Sequence, residues 1–116
     1  MKSIFKIKNN INLPNINIVI ADTFWERLVG LLSTKKLEPY TGLLLSGCHA
    51  IHMFGMRYAL DIVYIDEDCN IIKIVENLHP WRISGCHNAI HTIELPVGTI
   101  QQYGWEPGMK LDVWYN

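Results

Sequence analysis

Residues 62–75 read IVYIDEDCNIIKIV, and that stretch decides the fold class. Two apolar, β-branched runs, 62–65 and 71–75, flank the polar group Asp66, Glu67, Asp68, Cys69 and Asn70. Val, Ile and Tyr suit a pleated, half-buried surface, and Asp and Asn tolerate the backbone of a tight turn, so the stretch predicts a β-hairpin.

The same signals continue on both sides. Before the hairpin, Ile51, Phe54 and Tyr58 make 48–58 extended, Ser46-Gly47 breaks the chain, and 43–45 is a short buried strand. Residues 33–42 are a loop with Pro39 and Gly42. After the hairpin, 76–84 is a loop around Pro80 and Trp81, 89–95 is β and ends at Pro96-Val97-Gly98, and a turn at 104–108 leads to a closing strand, 109–115.

At the N-terminus, 3–8 and 16–21 are two strands around a turn rich in Asn and Pro. Lys2, Lys6 and Lys8 alternate with Ile4, Phe5 and Ile7, the pattern of a lysine-protected edge strand. One helix is expected. Thr23 and Glu26 have the spacing at which each side chain bonds the other's free amide, and Phe24, Leu28, Leu31 and Leu32 share one face, which predicts a helix over 23–32. The expected architecture is mainly β: a small antiparallel sandwich or partly open barrel capped by that helix.

A chain of 116 residues suits one domain, taken as 1–116. With 49% hydrophobic and 18% charged residues and a net charge of -1, composition supplies no bulk attraction to nucleic acid or to a membrane surface. No apolar run reaches the roughly 20 residues of a membrane helix, and no secretory core is present, so a cytoplasmic location is expected. There are three cysteines, an odd number, and thiols are their expected state in a reducing cytosol.

Four motifs follow one another in order: Glu26-Arg27-x-x-Gly30-Leu31; His52-x-Phe54-x-Met56-Arg57-Tyr58-x-Leu60-Asp61-Ile62-x-Tyr64-Ile65-Asp66; Ala89-x-x-x-Ile93-Glu94-Leu95-x-x-Gly98; and Gly104-x-x-x-Gly108. Over about 16–113 the chain resembles the domain of unknown function 192 family of bacteria and archaea. The resemblance implies a compact, mainly β domain and brings no agreed activity. The chain departs from the family pattern at Gly55, Ala59 and Met109.

Three constellations carry chemistry. The phrases Ser46-Gly47-Cys48-His49-Ala50-Ile51-His52 and Ser84-Gly85-Cys86-His87-Asn88-Ala89-Ile90-His91 are near copies. Cys48, His49, His52, Cys86, His87 and His91 are donors that zinc accepts, or thiols beside imidazoles. On a strand, however, Cys48 and His52 lie ~13 Å apart, too far to share an ion, and adjacent residues face opposite ways, so no cofactor is predicted and zinc is the alternative. Next, Asp61 and Glu94 sit inside apolar strands, where a carboxylate must be bonded; Arg27 or Arg57 could supply the partner in a structural ion pair. Last, His52, Phe54, Met56, Arg57 and Asp61 form a candidate surface for a small polar ligand or a protein partner. The four tryptophans are assigned to core and rim packing.

No phosphate loop and no Ser-His-Asp order appears. The expected function is therefore a non-catalytic binding or assembly module centred on 52–61. The alternative is a metal- or thiol-dependent enzyme or sensor using the two Ser-Gly-Cys-His phrases.

Overall fold

A computed structural model describes residues 4–8, 12–21 and 37–115. The elements are β1 (Ile4–Lys8), β2 (Ile16–Ala21), β3 (Thr41–Leu45), β4 (Ala50–His52), β5 (Leu60–Ile65), β6 (Ile71–Leu78), β7 (Ile83–Gly85), β8 (His91–Leu95), α1 (Thr99–Tyr103) and β9 (Asp112–Tyr115). Seven strands form one sheet in the order β6-β5-β8-β3-β2-β1-β9, and β4 and β7 form a separate two-stranded ribbon. The architecture is mainly β, a curled half-barrel. Its curl is visible where the two edges approach: Ile71 N–H donates to Met109 O at 2.8 Å and Leu111 N–H to Cys69 O at 2.9 Å.

Period-two alternation sorts the apolar residues onto the two faces of the sheet. Leu44, Val63, Ile65, Ile93 and Leu95 join Ile7, Ile16 and Ile18 in an inner cluster, closed by Ile100, Tyr103 and Trp105. Leu43, Leu45, Leu60, Ile62 and Tyr64 point the other way, into an outer cluster that Ile51 and Met53 cover from the ribbon. Strand β5 is buried at every position because it lies between β6 and β8 with an apolar layer on each face. Gly42 belongs to the same packing. A Cβ there would stand 2.7 Å from Ile18 Cδ1, 2.8 Å from Leu95 Cδ2 and 3.0 Å from Glu94 O, so any larger residue must push these side-chain ends aside.

Several expectations change. The sheet is not purely antiparallel, because β2 and β3 pair in parallel; the chain between Ala21 and Thr41 has the length such a crossover needs. Strand β1 is not an edge, since β9 pairs with its free side. The expected loop over 76–84 shrinks, because β6 continues to Leu78 through a bulge and β7 pairs with β4. The helix over 23–32 lies outside the described residues, as does Arg27. The described helix is α1, in the stretch between the end of the β region at Gly98 and the turn expected at 104–108. Among the described residues no helix is long and apolar enough to cross a membrane.

Candidate functional site

The candidate surface is built by the ribbon. Its register pairs Ala50 with Gly85, Ile51 with Ser84 and His52 with Ile83. Bonds beyond the strands extend the same ladder: Cys86 N–H to His49 O at 2.8 Å, Met53 N–H to Arg82 O at 2.8 Å, and Trp81 N–H to Met53 O at 2.9 Å. Lys73 Nζ donates to Gly85 O at 2.8 Å and ties the ribbon to β6.

Alternation then divides the ribbon into two faces. Ile51 and Met53 point inward, where Ser84 Oγ accepts the Tyr64 hydroxyl at 2.9 Å and Cys86 packs on the outer cluster. Burial pushes the Tyr64 hydroxyl above its ordinary pKa. Outward stand His52, Phe54, Trp81 and Ile83, with Phe54, Trp81 and Ile83 exposed by 49%, 68% and 70%. Ring centroids lie 4.8 Å apart for His52 and Phe54 and 5.9 Å for Phe54 and Trp81, so the aromatics form one contiguous ladder. Scattered exposed hydrophobics are ordinary, but a contiguous set is not.

The backbone holds this ladder in place. Gly55 turns at φ 79 and Trp81 at φ 70, the latter in the left-handed region that a bulky residue occupies only when its surroundings enforce it. The enforcement comes from the fully buried Met53, whose carbonyl accepts Trp81 N–H and whose N–H donates to Arg82 O.

Charge is segregated as well. Residues 46–60 and 77–93 contain no Asp or Glu, yet they hold Arg57, Arg82 and all five histidines. Arg57 and Arg82 are both exposed.

Among the other candidates, Met56 and Asp61 are buried and do not reach a ligand surface. Asp61 Oδ1 accepts Asn77 N–H at 2.9 Å, and Oδ2 accepts Gly98 and Ile100 N–H, each at 3.0 Å. The first amide is freed from the ladder by the bulge at Asn77 (φ 56), and the other two belong to the start of α1. Asp61 thus fastens bulge and helix together through backbone amides. Glu94 is fully buried on the face of β8 opposite to that of Ile93 and Leu95.

The two Ser-Gly-Cys-His phrases do meet, through the β4–β7 pairing. Cys48, Cys69 and Cys86 are free thiols. Cys48 Sγ donates to Ala50 O at 2.8 Å, and Cys48 O accepts the Thr92 hydroxyl at 2.7 Å. His91 Nδ1 accepts Gly47 N–H at 3.0 Å, and burial holds its pKa below the ordinary value. His49 and His87 are exposed. Among the described residues no three His, Cys, Asp or Glu side chains converge as one metal ion requires.

The chain matches the family DUF192, described as an uncharacterized ACR, over residues 5–113. It belongs to that family. It is 30% identical over 100 residues to a UPF0127 protein of Thermococcus sibiricus, a match spanning 82% of this chain and 64% of that protein. The DUF192 fold is shared with a Sinorhizobium meliloti crystal structure described as a "putative transcription regulator", at TM-score 0.80, 23% identity and coverage of 97% and 94% of the two chains. A Novosphingobium aromaticivorans protein of unknown function is similar at TM-score 0.76 and 18% identity, covering 94% of this chain and 83% of that one. At these identities both likenesses show the fold alone.

Trp81 and Ile83 are the site residues that sequence reasoning placed elsewhere, in a loop or in packing. Their local sequence carries no alternation; only the register with β4 puts them beside Phe54 and His52.

Proposed function

We propose that this DUF192 domain is a non-catalytic docking module whose contact surface is the outer face of the ribbon, formed by His52, Phe54, Trp81 and Ile83. The observation that carries the reading is the contiguous exposed ladder on a ribbon whose other face is already spent on the core. Covering an apolar side chain is worth roughly 1.5–3 kcal/mol. Three of them give at most roughly 9 kcal/mol, and after an association cost of ~4 kcal/mol or more the contact is on the order of 0.2 mM or weaker. The protruding side chains favour a broad partner surface over a small molecule, which prefers a concave site.

Other readings have less support. A thiol or metal role would use Cys48 and Cys86, but the Cys48 S–H is engaged with Ala50 O and no third ligand converges with them among the described residues. The description of the Sinorhizobium protein directs attention to nucleic acid, which calls for a stripe of Lys and Arg; the ladder is aromatic and aliphatic with two arginines beside it in sequence. The docking reading is tested by placing a photoreactive benzoylphenylalanine at position 83 and, as a control, at the exposed Glu67, then irradiating cells. A discrete adduct, to protein or to lipid, from position 83 alone is expected. Equal, diffuse labelling from both positions removes the proposal.

A further inference from the structure

We infer that the partner of the ribbon is an anionic lipid surface, a step that rests on the docking reading above. The first support is geometric. His52 and Ile83 pair across the ribbon, and the rings of Phe54 and Trp81 in the adjoining turns lie against His52 and each other, so the four make one exposed patch of the kind that enters a planar interface. The second is chemical, because Trp and Phe settle at the boundary between headgroups and hydrocarbon, and Ile83 adds an aliphatic tip.

Charge complementarity selects the lipid class. All eleven carboxylates of a chain with net charge -1 lie outside 46–60 and 77–93, while Arg57 and Arg82 lie inside. Arg82 stands between Trp81 and Ile83 in the chain, Arg57 follows Phe54 by three residues, and both are exposed, so the exposed charges carried by the ribbon and its turns are cationic and an anionic surface attracts them. An acidic protein segment shares that charge but is better received by a groove than by protruding side chains.

The test uses the full chain and vesicles of phosphatidylcholine alone or mixed with phosphatidylglycerol, read by co-sedimentation. Binding to the mixed vesicles is expected to exceed binding to the neutral ones by roughly tenfold or more and to weaken with salt. Phe54→Ser with Ile83→Ser should lower it at least ~tenfold with the melting temperature near that of the parent. Arg57→Gln with Arg82→Gln should abolish the preference for anionic vesicles, which a purely structural role for either arginine would leave in place. No binding to either vesicle overturns the inference, as does equal binding to both or binding that survives the Phe54 and Ile83 changes. The cross-linking readout separates this failure from failure of the docking reading. A discrete protein adduct at position 83 without vesicle binding removes the lipid and keeps the docking surface, whereas neither adduct nor vesicle binding removes both.

Discussion

Asp61 and the β4–β7 ladder invert the usual arrangement in opposite senses. One is a carboxylate with no exposure in the middle of the sheet; the other is a run of aromatic and aliphatic side chains in solvent. The carboxylate is answered within the chain by three backbone N–H groups. Phe54, Trp81 and Ile83 remain about half exposed or more. The difference separates a group the fold has used from a surface it has not: a polar group that the fold satisfies holds the fold together, and an apolar surface that the fold leaves open is available for contact.

Removing the carboxylate tests the inner half of that contrast hardest. Asp61→Ala strands the Ile100, Gly98 and Asn77 amides and should cost about 3–5 kcal/mol in urea unfolding. A loss under ~1 kcal/mol would mean that water replaces the side chain, and Asp61 would cease to be an anchor. Packing on the same inner face comes next. Gly42→Ala forces its Cβ against Ile18 and Leu95, with an expected loss of about 1–3 kcal/mol. Unchanged stability would show that β2 and β8 can part at little cost.

A smaller effect concerns the margin of the ribbon. Burial lowers the pKa of His91, so the unfolded chain takes up the proton first; stability is complete above the unfolded value and falls as the pH drops below it. Protonation of Nδ1 also removes the acceptor for Gly47 N–H. His91→Asn keeps an acceptor and cannot be protonated there, so its melting temperature should fall less than that of the parent between about pH 7 and 5. Parallel profiles would remove His91 from the acid response. The smallest effect belongs to the outer face. Ile83→Ser should change unfolding free energy by no more than about 0.5 kcal/mol, and a loss comparable to that of Gly42→Ala would show that the ladder serves the fold after all.

The sheet was largely legible. Strands β1, β2, β5 and β8 follow from alternation or apolar runs between turn residues, and the β5–β6 hairpin from Asp66 to Asn70. There the Asp66 carboxylate accepts Asp68 and Asn70 N–H, each at 2.9 Å, and these bonds lower its pKa. Helix α1 was not legible. Five residues between Gly98 and Gly104 carry no helical pattern, and the side chain that caps the helix start comes from Asp61 on another strand. The site was legible in half. His52, Phe54 and Arg57 stand out in the sequence, but nothing local distinguishes the buried Met56 from the exposed Phe54, or marks Trp81 as their neighbour.

The sequence by itself determined which segments extend, where they turn, that one family pattern runs through them, and that two carboxylate-free segments hold every histidine. These follow from steric preference and composition, which act within a few residues. Only the tertiary structure decided that β2 and β3 run parallel, that Asp61 accepts the amides of Asn77, Gly98 and Ile100, and that His52 and Phe54 meet Ile83 and Trp81. Each of those depends on contacts between segments far apart in the chain. Their register is chosen when the whole apolar pattern is buried at once, and no local window contains that choice.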